Sequence, residues 1–162
     1  MKQRKTYRSL VAETASQVEE IFPWDLCDEL DAGVEPLLLD IRCPDEFATV
    51  RIAGSVNVPR GILEIAVDYG YEETEPELVE ARDRRVIVIC RSGNRSVLAA
   101  HTLGMMGYTN VASLRTGLRG WNDDEQPLID AQGEVLDFDA VDALFLPKLT
   151  PDQRGLQNRR AA

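Results

Sequence analysis

The four residues Val86-Ile87-Val88-Ile89 are β-branched throughout, apolar on both faces, and stop at Cys90. A strand with no polar face has to be covered on both sides, as in a parallel sheet between helices. The polar segment Arg91-Ser92-Gly93-Asn94-Arg95-Ser96 follows at once, and Val97-Leu98-Ala99-Ala100-His101-Thr102-Leu103 then reads as a helix. Strand, short loop and helix is the layout in which backbone N–H groups and a helix N-terminus converge on an anion. A cysteine at the base of such a cup is favoured in its anionic, nucleophilic form. Cys90 is therefore the first candidate for chemistry.

The flanking segments repeat the strand–helix alternation. From about Arg8 to Ile21 the apolar residues Leu10, Val11, Ala15, Val18 and Ile21 have helical spacing. Pro23 interrupts, and Trp24 to Leu30 restarts as a second helix stopped by Asp31-Ala32-Gly33. Pro36-Leu37-Leu38-Leu39-Asp40-Ile41-Arg42 is another buried strand, ending in charges at the edge where open α/β folds bind ligands. Pro44, Asp45 and Glu46 suit the first turn of a helix. Val56-Asn57-Val58-Pro59 and Val111-Ala112-Ser113-Leu114 read as short strands. Arg60 to Glu64 opens a short helix, Glu75 to Val79 forms one or two turns, and Gly117 to Trp121 begins a last helix or turn. Beyond Pro127 only Val135, Phe138, Val141 and Leu144 keep helix-like spacing, and residues 150–162 are polar and expected to be poorly ordered. The alternation predicts a small α/β domain with a parallel sheet.

Charge narrows the partners. The 162 residues carry a formal net charge of -10, which repels nucleic acid and anionic membranes alike. No apolar run approaches the length of a membrane helix, and Leu10-Val11-Ala12 behind the basic Met1 to Lys5 is too short for a signal-peptide core. The expectation is a cytoplasmic protein that meets neither nucleic acid nor membrane. Cys27, Cys43 and Cys90 are odd in number and widely spaced, so no disulfide framework is expected. With His101 as the one histidine, neither a metal site nor a cofactor is expected. Cys27 reads as a packing residue and Cys43 as an exposed loop residue with a redox role left open. His101, off the apolar face of its helix, reads as a solvent-side residue.

The loop itself gathers several terms that favour a sulfur anion. Gly93 can take positive φ and turn successive N–H groups inward, and Arg91 and Arg95 add permanent positive charge. The same terms would hold a persulfide or a bound oxyanion.

Taken in order, Asp40-Ile41-Arg42-x-Pro44-Asp45-Glu46-Phe47, Ile52-x-Gly54-x-Val56-Asn57-Val58-Pro59, Cys90-Arg91-Ser92-Gly93-Asn94-Arg95-Ser96, Gly107-Tyr108-x-Asn110-Val111 and Leu118-x-Gly120-Trp121 resemble the single-domain rhodanese, or thiosulfate sulfurtransferase, family. The resemblance spans Pro23 to Leu128. It implies a central parallel sheet of about five strands with helices on both faces, and divides the chain into an N-terminal helical extension (1–22), the rhodanese-like domain (23–128) and a partly disordered C-terminal extension (129–162). It implies that Cys90 takes sulfane sulfur from a small anionic donor such as thiosulfate and passes it to cyanide, a thiol or a sulfur carrier. Arg91, Ser92, Gly93, Asn94, Arg95 and Ser96 would bind the substrate and the persulfide. Arg95 would brace the loop against Glu46 or Asp40, with Asp40, Arg42 and Arg60 as further rim or bracing candidates.

Two departures stand out: Val50-Arg51-Ile52-Ala53-Gly54 replaces the family's Gly-His-Ile-Pro-Gly, and Thr116 replaces a glycine. Two rivals remain. A phosphatase or arsenate reductase uses a related cysteine cup, but with a Cys-x5-Arg loop, one residue longer than the Cys-x4-Arg from Cys90 to Arg95. A rhodanese-like module used only for binding or regulation is the other.

Overall fold

The computed structural model describes residues 4–155. Five parallel strands form one sheet in the order β1-β5-β4-β2-β3: β1 (Glu19–Ile21), β2 (Leu37–Asp40), β3 (Val56–Asn57), β4 (Val86–Ile89) and β5 (Val111–Leu114). All four residues of β4 are fully buried, as a strand covered on both faces requires. Alternation along β4 divides the interior. Val86, Val88 and Cys90 join a core with Leu37, Leu39, Leu63, Leu78, Ala99 and Leu103. Ile87 and Ile89 join a second core with Leu26, Leu38, Leu114, Leu118, Trp121, Val141 and Phe145.

The first core lies under α4 (Leu63–Ala66), α5 (Pro76–Val79) and α6 (Arg95–Met105), and the second under α2 (Pro23–Asp31), α7 (Gly117–Asp123) and α8 (Phe138–Phe145). α3 (Pro44–Thr49) follows β2. The chain leaves β2 toward β3 on one side of the sheet and leaves β4 toward β5 on the other. The carboxyl ends of β2 and β4 thus flank the crevice where the strand order reverses, the usual ligand position in open α/β sheets.

The segment read as one helix to Ile21 divides in two. α1 (Tyr7–Ala15) stops at Ser16, and Glu19–Ile21 becomes an edge strand whose register pairs Ile21 with Leu114. The cause is non-local. Thr14 and Ser16 turn their hydroxyls back onto the carbonyls of Leu10 and Glu13 (both 2.8 Å), which competes with further helix. Arg85, just before β4, then holds Glu19 and Glu29 through paired contacts of 2.6–3.1 Å. The same apolar spacing serves either state, and the unpaired edge of β5 decides.

Past Pro127, α8 begins at Phe138 because Asp137 accepts the Ala140 N–H (3.1 Å), so Val135 lies outside it. Asn122 Nδ2 donates to the Phe138 carbonyl and to Asp142 Oδ1, at 3.0 and 2.8 Å, which anchors α8 over the second core. Residues 152–154 form a 3₁₀ turn, and the expectation of poor order over 156–162 lies outside the described residues. No helix among the described residues is long and apolar enough to cross a membrane.

Candidate active site

β4 delivers Cys90 to the crevice with the residue only 1% exposed. The chain then folds over its sulfur. Gly93, at φ +82°, and Ser96 each donate a backbone N–H to Cys90 Sγ, at 3.2 and 3.3 Å. Ser96 Oγ lies 3.3 Å from the sulfur and accepts the Ser113 hydroxyl of β5 at 2.7 Å. With its oxygen so engaged, the Ser96 hydroxyl is free to rotate its hydrogen toward an anionic sulfur. The two N–H groups, and the Ser96 hydroxyl once the sulfur is anionic, can all donate to Sγ.

The loop is seated on α7. Leu118 and Arg119 donate their N–H groups to the carbonyls of Cys90 and Arg91, both at 3.0 Å, which occupies donors that a helix start otherwise leaves orphaned. The approach leaves no space: a Cβ on Gly117 would stand 2.4 Å from the Cys90 carbonyl oxygen. Thr116 keeps the glycine-like conformation, φ +68°, in spite of its branched side chain. That strain costs about 1–2 kcal/mol. Gly120 makes room for it, since a Cβ there would meet Thr116 Oγ1 at 1.7 Å.

Arg95 grips Glu46 of α3 in a bidentate pair, Nη1–Oε2 3.0 Å and Nη2–Oε1 2.8 Å. Glu46 also accepts the Cys43 N–H at 3.1 Å, so one carboxylate ties the loop to the start of α3. The hydrogen bonds from Arg95 hold the Glu46 carboxyl down to about 2, from an ordinary 4.5, against the opposing effect of burial. A depressed carboxyl stabilises the fold fully above its unfolded pKa of about 4.5, and that contribution is lost as pH falls toward 2. Glu46→Gln is therefore expected to be less stable than wild type at pH 7, and to lose less on acidification from pH 4.5 to 2.5. Urea midpoints at pH 7, 4.5 and 2.5 check this, and parallel losses in the two proteins would contradict it.

Asp40 and Arg42 form a buried pair rather than an exposed rim, although Arg42 lines the cavity it shares with Arg91. Both side chains are 1% exposed and pair with each other, Nε–Oδ1 3.0 Å and Nη2–Oδ2 2.7 Å. Arg42 turns inward onto the exit of α3, where it donates to the Val50 carbonyl (2.6 Å) and shares the Glu46 carbonyl (3.3 Å) with the Val50 N–H. Arg60 does not line the mouth either. It pairs with Glu64 at 3.0 Å and with Thr102 at 3.1 Å, and Thr102 lies seven residues past Arg95, roughly 10 Å along α6.

Arg91 is the loop's available cation: among the described residues its guanidinium has no hydrogen-bond or ion-pair partner. It borders two cavities. One, of about 100 Å³, is lined by Cys90, Arg91, Ser92, Asn94, Arg95 and Tyr7. The other, of about 300 Å³, lies between α3 and α8. Cys27 is half-buried, its thiol pushed up by burial and then by Asp124, Asp31 and Asp28. Cys43 is exposed at the start of α3, and His101 Nε2 sits 3.3 Å from Gln17 Oε1, away from the loop. Tyr7 and Ser113 belong to none of the sequence motifs. A serine inside an apolar strand is a usable signal for Ser113; for Tyr7 there is none.

The family model for a rhodanese-like domain matches residues 24–124. A sulfurtransferase of Allochromatium vinosum is 32% identical over 116 residues, 72% of this chain and 99% of that protein. A mitochondrial protein of Schizosaccharomyces pombe, provisionally named a thiosulfate sulfurtransferase, is 30% identical over 123 residues, 74% of this chain and 87% of that one. Among solved structures, a Rhodopseudomonas palustris protein of unknown function, described as a possible tyrosine phosphatase, has a TM-score of 0.68 and 30% identity, covering 78% of this chain and 98% of that chain.

Proposed function

Because the chain belongs to the rhodanese-like domain family, with sulfurtransferase relatives at 30% identity and above, we propose that it moves sulfane sulfur from a small anionic donor such as thiosulfate through a persulfide on Cys90. The observation that carries this reading is the set of groups converging on one buried sulfur: the N–H groups of Gly93 and Ser96, which donate to it, and the Ser96 Oγ beside them, all at 3.2–3.3 Å. A cup of that size suits an anionic sulfur and the sulfur added to it.

Cys90 Sγ attacks the outer sulfur of thiosulfate. The S–S bond of the donor breaks, its electron pair leaves with sulfite, and a new S–S bond forms on Cys90. An acceptor thiol then gives up its proton as its sulfur attacks the outer sulfur, and Cys90 departs as thiolate. The acceptor leaves as a persulfide. This is two-step covalent catalysis with ping-pong kinetics. Arg91 recruits the anionic donor, while Arg95, occupied by Glu46, holds the loop. The acceptor is a thiol or a sulfur carrier. Three free thiols suit a reducing compartment, and we place this chemistry in the cytoplasm.

The phosphatase reading has one observation in its favour, the description of the Rhodopseudomonas protein. The Cys-x4-Arg spacing argues against it. Intact-mass analysis after incubation with thiosulfate decides between them. The expected result is one added sulfur, mapping to Cys90 and released by cyanide. Hydrolysis of an aryl phosphate without such an adduct would overturn the assignment, and the absence of both activities would favour a binding module.

A further inference from the structure

α1 lies outside the segment that the family model matches, and it packs against α6. Tyr7 is its first residue, positioned by the preceding Thr6: Thr6 Oγ1 accepts the Ser9 N–H at 3.1 Å, and Ser9 Oγ accepts the Thr6 N–H at 3.0 Å. This capping box fixes how the chain enters the helix, and so where the first side chain points. Tyr7 lines the cavity that holds Cys90, Arg91, Ser92, Asn94 and Arg95. The remaining wall belongs to the loop itself, so α1 supplies the one side chain from elsewhere in the chain.

We propose that Tyr7 is a specificity-determining residue: its ring closes one side of the mouth over Cys90 and restricts the sulfur donor to compact anions, excluding bulky organic thiosulfonates. This deepens the sulfurtransferase reading and rests on it. The geometry supports the proposal, since the cavity of about 100 Å³ has the Tyr7 side chain on one side and the loop around Cys90 on the other. Thiosulfate, three oxygens and an outer sulfur around one tetrahedral sulfur, is compact enough to pass beside the ring, whereas the aryl group of a thiosulfonate has to compete with the ring for the same space. The electrostatics agree. Burial, and then the negative charge of Cys90, raise the Tyr7 phenol against the pull of Arg95 and Arg91. The residue over the mouth therefore stays neutral and adds no charge that would repel an anionic donor.

The test compares wild type, Tyr7→Phe and Tyr7→Ala in kcat/KM for thiosulfate and for benzenethiosulfonate. It also compares the rates at which iodoacetamide and a bulky arylmaleimide label Cys90, followed by peptide mass. Tyr7→Ala is expected to shift the benzenethiosulfonate-to-thiosulfate ratio tenfold or more toward the aryl donor, and the labelling ratio in the same direction. Tyr7→Phe, which keeps the ring, is expected to stay within twofold of wild type in both. Equal loss for both donors in Tyr7→Ala, or an unchanged ratio, would overturn the proposal by leaving α1 a purely structural role. A change in Tyr7→Phe as large as in Tyr7→Ala would overturn it by moving the selectivity to the hydroxyl. Labelling needs no turnover, so it separates the two claims: no sulfur transfer in wild type sinks the sulfurtransferase reading, while an unmoved labelling ratio sinks the role of Tyr7.

Discussion

Cys90→Ser is expected to abolish sulfur transfer from thiosulfate, lowering turnover by roughly 10⁴-fold or more, the scale on which nucleophile replacements fall, and to leave no sulfur adduct on the protein. The oxygen can accept the same N–H groups that reach the sulfur, those of Gly93 and Ser96 at 3.2 and 3.3 Å, so the loop should survive. What disappears is a side chain that can attack sulfur and then leave as a stable anion. Cys27→Ser and Cys43→Ser serve as controls and are expected to stay within about twofold of wild type. Burial first, and then three aspartates, push the Cys27 thiol up, and Cys43 is an exposed residue whose backbone N–H donates to Glu46. Turnover by thiosulfate:cyanide assay, with thermal melting to confirm folding, checks all three. Full activity in Cys90→Ser, or loss in either control, would move the nucleophile elsewhere.

The part of this site that is legible in the amino-acid sequence is the part built from neighbours along the chain. A both-faces apolar strand, a glycine able to take positive φ and a helix start lie within a dozen residues of one another, and each has a local signature. The partner of Arg95 is legible only as a choice between Glu46 and Asp40, acids close to the end of the adjacent strand, and the structure places Glu46 there. The direction in which Asp40 and Arg42 point is not legible. Charges at a strand's carboxyl end read as a ligand rim, and only the return of α3, with the Val50 carbonyl in need of a donor, turns them inward. β1 escapes the helical pattern for a similar reason: residues 19–21 satisfy a helical period by spacing and a strand by pairing, and the partner strand lies more than ninety residues away. Tyr7 depends on where α1 docks, which no local pattern encodes.

Asp40→Ala carries the second large effect, on stability. The variant leaves the Arg42 guanidinium, 1% exposed, without its carboxylate. Removing one partner of a buried pair costs about 3–5 kcal/mol, a third or more of the stability of many domains, and lowers Tm by roughly 6–20 °C. If the pair were only an ion pair, replacing both partners with apolar side chains of similar volume would restore stability. Here the double variant Asp40→Leu/Arg42→Met is expected to remain at least about 1 kcal/mol below wild type, because it takes the Arg42 donor from the buried Val50 carbonyl and the Asp40 acceptor from the Arg42 N–H. The guanidinium also serves the carbonyls of Val50 and Glu46, at 2.6 and 3.3 Å, and Asp40 accepts the Arg42 N–H at 3.0 Å. These contacts fold the chain between β2 and the end of α3 and set Glu46 opposite Arg95. Urea unfolding of wild type and the two variants reads the difference, and a double variant as stable as wild type would show that the backbone contacts of Arg42 contribute nothing. The expected order, wild type above the double variant above Asp40→Ala, assigns the charges at the end of β2 to holding α3, and through Glu46 the loop around Cys90.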